Sequence, residues 1–115
     1  MKRLIVAVAT AAAALMLAVP AQAQDIDTDF TNELHTYGIY GQKDYNAWIG
    51  KITCKRQRKG IDKDAFASAN FVRDQLPRSQ NSTEQTWKFL AGALRFYCPD
   101  LLPILDQARD QGVLQ

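Results

Sequence analysis

A single pair of cysteines, Cys54 and Cys98, is the feature that most constrains the fold of this chain. Thiols that reach an oxidising compartment pair by default, and two cysteines allow only one pairing. In the chain-entropy account, closing a loop of this length is worth roughly 4 kcal/mol, a large share of the stability of a small domain. We therefore expect residues 24–115 to form one domain closed by this disulfide. The wide separation disfavours a redox motif, and a zinc site lacks ligands.

The N-terminus explains why an oxidising compartment is expected. Lys2 and Arg3 precede an apolar run over residues 4–19, and small side chains follow it. This order is typical of a cleavable signal peptide over residues 1–23, with the cut between Ala23 and Gln24. A transmembrane anchor is the alternative, but the run is shorter than the ~20 residues of a span and is rich in alanine. We expect a protein that is secreted or held in the cell envelope, with no stable membrane insertion after the signal is removed.

The net charge of the mature chain limits the kinds of molecule that it is expected to bind. The chain has 14 basic and 12 acidic residues, and loss of Lys2 and Arg3 with the signal leaves 12 of each. A mature chain near neutrality lacks the excess of cations with which proteins hold the phosphates of nucleic acid. Nucleic acid is therefore not an expected partner.

The spacing of apolar residues predicts an all-α fold of four or five helices and no strand. The expected helices cover about residues 28–37, 45–59, 63–75 and 83–98, with a weaker fifth helix over 101–111. Their expected N-caps are Asp44, Asp62 and Asp100 for helices two, three and five, and Ser82 with Gln85 as a capping box for helix four.

The second helix has two apolar faces in the sequence. One carries large side chains, Tyr45, Trp48, Ile49 and Ile52, and the other carries Ala47, Gly50 and Cys54. We expect the small residues to let the partner of Cys54 come close. Trp48 is expected in the core with most other aromatic residues, which are Phe66, Phe71, Trp87, Phe89, Phe96 and Tyr97.

An ordered set of these residues resembles a known family. The set consists of Phe30, Leu34, Gly38 and Ile39, then Ala47, Gly50, Cys54 and Gly60, then Thr83, Gln85, Phe89, Ala93 and the triplet Tyr97, Cys98 and Pro99. It resembles domain of unknown function 732, a family of small secreted actinobacterial, chiefly mycobacterial, proteins, over about residues 25–100. The resemblance implies an exported, disulfide-closed helical domain and no activity. The cations after Cys54 and the stretch after Asp100 depart from the family pattern.

The sequence contains no constellation typical of catalysis or of a metal site. His35 is the single histidine, which excludes a histidine-based triad or multi-histidine site within the chain. Asp25, Asp27 and Asp29 begin like a calcium loop, but Phe30 stands where the turn glycine belongs. We therefore expect no catalytic residues, no metal and no cofactor. Glycoside hydrolysis by carboxylates alone is a further alternative, but it is disfavoured because no pair of acids is evidently placed for it.

Two interpretations of function follow. The main one is a non-enzymatic domain that acts through a surface that binds a protein or an envelope component. The basic run over residues 51–63 is either a solvated helix end or a docking site for an anionic lipid, polysaccharide or acidic protein. The alternative is a carrier of haem or a small apolar ligand near residues 37–45, with His35, Tyr37 and Tyr40 as ligand candidates.

Overall fold

The computed structural model describes residues 26–110, which form five α-helices and two short 3-10 turns with no strand in that range. The expected all-α fold is confirmed. The helices are α1 over residues 26–36, α2 over Lys43–Arg58, α3 over Ala65–Gln75, α4 over Thr83–Tyr97 and α5 over Pro103–Asp110, and the 3-10 turns are Arg78–Gln80 and Pro99–Leu101. The expected signal peptide, with its cut at Ala23 and Gln24, lies outside the described residues.

The capping box on α4 is confirmed. The Ser82 hydroxyl accepts from the Gln85 backbone N–H at 3.1 Å, and the Gln85 side-chain oxygen accepts from the Ser82 N–H at 3.1 Å. After α1 and α2, Gly38 and Gly60 take positive φ values of 78° and 72°. Glycine adopts this left-handed conformation without the steric cost of a side chain, so both helices end where the sequence predicts.

Three expected N-caps are wrong. The N-cap of α2 is Gln42, without a side-chain hydrogen bond, and Asp44 lies in the first turn, where its charge favours the helix dipole. Asp64 rather than Asp62 caps α3, because its carboxylate accepts from the Ala67 N–H at 3.0 Å. Asp100 lies inside a 3-10 turn, and α5 begins at Pro103, a residue suited to the first helical position.

The first of two core clusters is built around Phe30 of α1. Its ring packs edge-on against Phe89 at 5.2 Å and Tyr97 at 5.3 Å between centroids. A methyl group at Gly50 would come within 2.9 Å of the Tyr97 ring, and one at Gly92 within 3.2 Å of the Phe30 ring. Gly50 was expected to admit a partner backbone, but it makes room for aromatic rings between α2 and α4.

The second cluster surrounds the disulfide. Cys54 of α2 and Cys98 at the end of α4 are bonded, with their Cα atoms 6.0 Å apart, which confirms the expected pairing. Buried residues of α3 and α4 pack around the bond, and Ala108 of α5 joins them. The C-terminal helix is therefore part of the domain's core rather than an appendage.

The faces of α2 differ from the expectation. Its buried residues are Asn46, Ala47, Ile49, Gly50, Thr53 and Cys54. Thr53 can be buried because its hydroxyl donates a hydrogen bond to the Ile49 carbonyl at 2.8 Å, within the same helix. Tyr45 and Trp48 are 44% and 49% exposed, so the expectation that Trp48 lies in the core is wrong. The other expected core aromatics are buried or pack against the two clusters.

Candidate functional site

The structure brings together two of the three ligand candidates. The rings of His35 and Tyr40 lie 5.4 Å apart between centroids, and both side chains are exposed. Tyr37 is half-buried and packs against the first core cluster, with Lys88 Nζ 5.2 Å from its ring centroid. Its backbone carbonyl accepts from the Gln85 side chain at 3.0 Å. Tyr37 therefore belongs to the contact between the loop and α4, while His35 and Tyr40 form an exposed pair.

The loop of residues 37–42, which joins α1 to α2, is fixed by contacts at the connection between α3 and α4. The Tyr40 N–H donates to the Gln80 side-chain oxygen at 3.0 Å. Tyr45, at the start of α2, donates its hydroxyl hydrogen to the Gln75 carbonyl at 3.3 Å. These contacts fix the backbone of Tyr40 and the hydroxyl group of Tyr45, one on each side of the loop.

Carboxylates in residues 26–110 serve mainly in internal contacts. Asp27 accepts from the Tyr97 hydroxyl at 2.7 Å and pairs with Lys51 at 3.2 Å, which agrees with a structural helix start rather than a calcium loop. Asp62 accepts from Arg56 and from Ser68. Within the described residues, no three histidine, cysteine or acidic side chains are grouped closely enough to hold a metal ion.

The most distinctive exposed feature is a row of side chains on α2 and its C-cap residue, which we call the outer stripe. It consists of Tyr45, Trp48, Ile52, Lys55 and Lys59, spaced alternately by three and four residues and lying opposite the buried face. The Tyr45 and Trp48 rings are stacked, with centroids 6.0 Å apart and planes inclined by 26°. Aromatic residues occupy the N-terminal half of the outer stripe, and lysines occupy the C-terminal half.

The cations near the C-terminal end of α2 differ in whether an acidic side chain pairs with them. Arg56 binds Asp62 through both Nε and Nη2 and lies over the Phe71 ring at 4.3 Å. Arg58 forms two hydrogen bonds of 2.9 Å with Asp100, and this contact holds the pKa of the Asp100 carboxyl below its usual range. Within residues 26–110, neither Lys55 nor Lys59 takes part in an ion pair. The basic run is thus partly structural, and two of its cations without an ion pair in the described chain, Lys55 and Lys59, lie on the outer stripe.

Comparison with known proteins places the chain in a family. A family profile described as a protein of unknown function (DUF732) matches residues 25–100. The chain belongs to the DUF732 family. The resemblance predicted from the sequence is therefore confirmed, and the match includes both cysteines and the whole outer stripe. The DUF732 match ends at the residue that pairs with Arg58, so α5 lies beyond it.

Two relatives of this DUF732 protein are mycobacterial. Two uncharacterized proteins of Mycobacterium tuberculosis, MT0585 of strain CDC 1551 / Oshkosh and Rv0559c of strain H37Rv, are each 45% identical to it over 106 residues. Each alignment covers 92% of this chain and 94% of the relative. No solved structure gives a significant match.

The sequence indicated that the cationic half of the outer stripe is exposed, but it did not indicate that the aromatic half is exposed. The residues of α2 offered two plausible buried faces, and large aromatic side chains usually mark the buried one. The signal that distinguishes them is the position of the cysteine, because Cys54 must face Cys98 and places Gly50 and Ala47 inward.

Among residues 26–110, no helix is both long enough and apolar enough to cross a membrane.

Proposed function

We propose that this DUF732 protein is exported and acts outside the cytoplasm as a non-enzymatic binding domain whose partner docks on the outer stripe. Export is supported by the signal-peptide pattern of residues 1–23. The observation that carries the binding role is the stacked, half-exposed pair of Tyr45 and Trp48 on the face of α2 that points away from the core. Aromatic rings with a polar atom are enriched at binding surfaces, because they bury a large area and keep a hydrogen bond.

The architecture suits this role because the outer stripe is mounted on a rigid element. The opposite face of α2 carries the disulfide and contacts both core clusters. A surface that is already ordered loses less conformational entropy when it binds. The partner is therefore expected to meet α2 in the conformation described here.

Binding is tested with the chain 24–115, which keeps every described helix and core contact. Oxidised protein is titrated against separated lipid and protein fractions of a mycobacterial envelope. We expect saturable retention by one fraction and a loss of retention for Trp48→Ala. Tyr40→Ala is the matched control, because it removes another exposed aromatic side chain and leaves α2 intact. Absence of saturable retention by either fraction argues against a binding domain.

Export has its own test. The full chain is produced in a mycobacterial host, and the protein in the medium and envelope is analysed by mass spectrometry. We expect a chain that begins at Gln24 and contains a disulfide between Cys54 and Cys98. An intact N-terminus on protein confined to the cytoplasm would contradict the proposal.

The contact between His35 and Tyr40 favours a second candidate, a carrier of haem or of an apolar ligand. Both residue types ligate haem iron, and their rings lie 5.4 Å apart on the surface. Titration of the chain 24–115 with haemin should then give a Soret shift that His35→Ala or Tyr40→Phe weakens. Tyr37→Phe is the control, because Tyr37 packs toward α4. An unchanged spectrum removes this candidate.

A further inference from the structure

We infer that the partner of the outer stripe is the surface of a lipid bilayer that contains anionic phospholipid. This inference rests on the proposed binding function and specifies its ligand. In this arrangement, α2 lies against the headgroup region, with its aromatic half entering the interface and its lysines beside the phosphates. The helix and its disulfide remain folded throughout, so that binding is peripheral and reversible.

The aromatic half of the outer stripe has the chemistry of a membrane interface. Tyrosine and tryptophan are enriched at the level of the lipid headgroups, because their rings are apolar and their O–H or N–H groups remain hydrated. Trp48 is 49% exposed although it is among the largest apolar side chains of the chain. Ile52, half-buried one turn further along, extends the apolar surface toward the lysines. Contact with a bilayer would remove these side chains from water.

The cationic half of the outer stripe complements the negative charge of the phospholipid headgroups. Within the described chain, Lys55 and Lys59 form no ion pair, whereas Arg56 and Arg58 on the same turns are paired with Asp62 and Asp100. Lysine suits a headgroup because its long stem can follow the apolar surface while its ammonium group reaches the phosphate. Each lysine held near an anionic leaflet strengthens binding about 5.4-fold at physiological salt. The two lysines therefore contribute about thirtyfold.

Neither the acidic residue of α2 nor Asp62, which follows the helix, opposes this contact at the lysine end. Asp44 is the one acidic residue of α2, in its first turn, about three turns before Lys55. Asp62, which follows the helix, is buried and its charge is met by Arg56. The face presented by Lys55 and Lys59 is accordingly cationic.

The size of the outer stripe favours a bilayer over a protein. A stable protein interface buries about 800 Å² on each side and uses about 20–30 residues. The outer stripe has five side chains along about 21 Å of one helix. A bilayer offers many equivalent lipids, so that a small surface with a few apolar and cationic groups is sufficient for reversible attachment. The alternative partner is an acidic protein, and binding to vesicles and to envelope protein distinguishes it from the lipid.

The test uses the oxidised chain 24–115 and vesicles of phosphatidylcholine with and without phosphatidylglycerol. We expect co-sedimentation with the anionic vesicles only, weakened by high salt. Lys55→Gln/Lys59→Gln should lower the partition coefficient about thirtyfold. The matched control is Lys88→Gln/Arg109→Gln, which removes the same charge from exposed ion pairs on α4 and α5 and should bind as the parent does.

Fluorescence reports whether the aromatic half enters the interface. Anionic vesicles should shift the tryptophan emission to shorter wavelength, and Trp48→Phe should abolish the shift. The other tryptophan, Trp87, packs against Phe66 and should not respond. Circular dichroism of each variant verifies that the helices are retained.

Three results would overturn the inference: no binding to anionic vesicles, equal binding to both vesicle types, or equal weakening by the two double substitutions. Should the envelope protein fraction retain the chain through Trp48 while vesicles do not, the lipid inference is wrong and the binding function stands. Failure with both the vesicles and the envelope fractions would contradict both proposals.

Discussion

At the scale of single residues, Asp62 and Asp64 show how two similar aspartates before one helix take different roles. Asp64 caps α3 through the Ala67 N–H, whereas the buried Asp62 accepts from Arg56 at 2.9 Å and from Ser68 at 2.8 Å. Breaking an ion pair that is only partly buried costs less than breaking a fully buried one. Asp62→Ala should therefore lower the free energy of unfolding by about 2 kcal/mol.

Asp64→Ala is the comparison for this prediction, because it should remove only the cap, worth about 1 kcal/mol. Urea denaturation of the chain 24–115 measures both. A smaller loss for Asp62→Ala than for Asp64→Ala would contradict the assignment. The sequence could not decide between the two aspartates, because both precede α3 and the deciding partner, Arg56, lies on α2.

The hydroxyl group of Tyr97 is expected to make the stability of the protein depend on pH. Its partial burial, followed by its hydrogen bond to the Asp27 carboxylate and the charge of that carboxylate, raises the pKa of the Tyr97 hydroxyl far above its usual value. A raised folded-state pKa means that the contribution to stability is complete below about pH 10, the unfolded value, and is lost as pH rises further.

Tyr97→Phe should therefore make the stability of the protein less dependent on pH above about pH 10. Urea denaturation at a series of alkaline pH values measures this dependence, and Tyr40→Phe is the control for an exposed tyrosine. The same loss of stability with pH in the parent and in Tyr97→Phe would contradict the account.

At the scale of elements, the helices and most of their C-terminal ends were predictable from the sequence, whereas three N-caps and the faces of α2 were not. Local signals determined the ends, such as Gly38, Gly60 and the pairing of Ser82 with Gln85. The faces of α2 depend on which neighbouring helices cover them. Asn46 and Thr53 are polar in the sequence and buried in the fold, while Trp48 is exposed.

The fifth helix gives the prediction at this scale. Ile104, Leu105 and Ala108 pack against the cluster around the disulfide, although α5 lies beyond the family match. Ending the chain after Leu102 should lower the free energy of unfolding by about 3 kcal/mol, because these apolar side chains are then lost from the cluster. Urea denaturation measures the loss. Ending the chain after Asp110 is the control, and equal stability of the two shortened chains would show that α5 is dispensable.

At the scale of the whole molecule, ion pairs connect segments whose charges are separate in the sequence. Lys51 pairs with Asp27, and Arg58 pairs with Asp100, so that the basic run on α2 meets both acidic ends of the described chain. The sequence indicated the basic run over residues 51–63 but not which of its cations would be neutralised. Geometry decides this, and it leaves Lys55 and Lys59 for the outer stripe.

The disulfide gives the prediction for the whole domain. It connects residues separated by 44 positions, and its removal returns the entropy of that loop to the unfolded chain. Cys54→Ala/Cys98→Ala should lower the free energy of unfolding by roughly 4 kcal/mol in urea. The reduced parent is the control for the loss of side-chain packing. Unchanged stability after reduction would contradict the role of the bond.

Binding to an anionic bilayer requires the outer stripe to be the surface in contact with lipid. Amide NMR spectra of the ¹⁵N-labelled chain 24–115, recorded as anionic vesicles are added, test this directly. We predict that signals of Tyr45, Trp48, Ile52, Lys55 and Lys59 lose intensity first. Early loss at His35 and Tyr40 with no change along α2, or uniform retention of all signals, would contradict it.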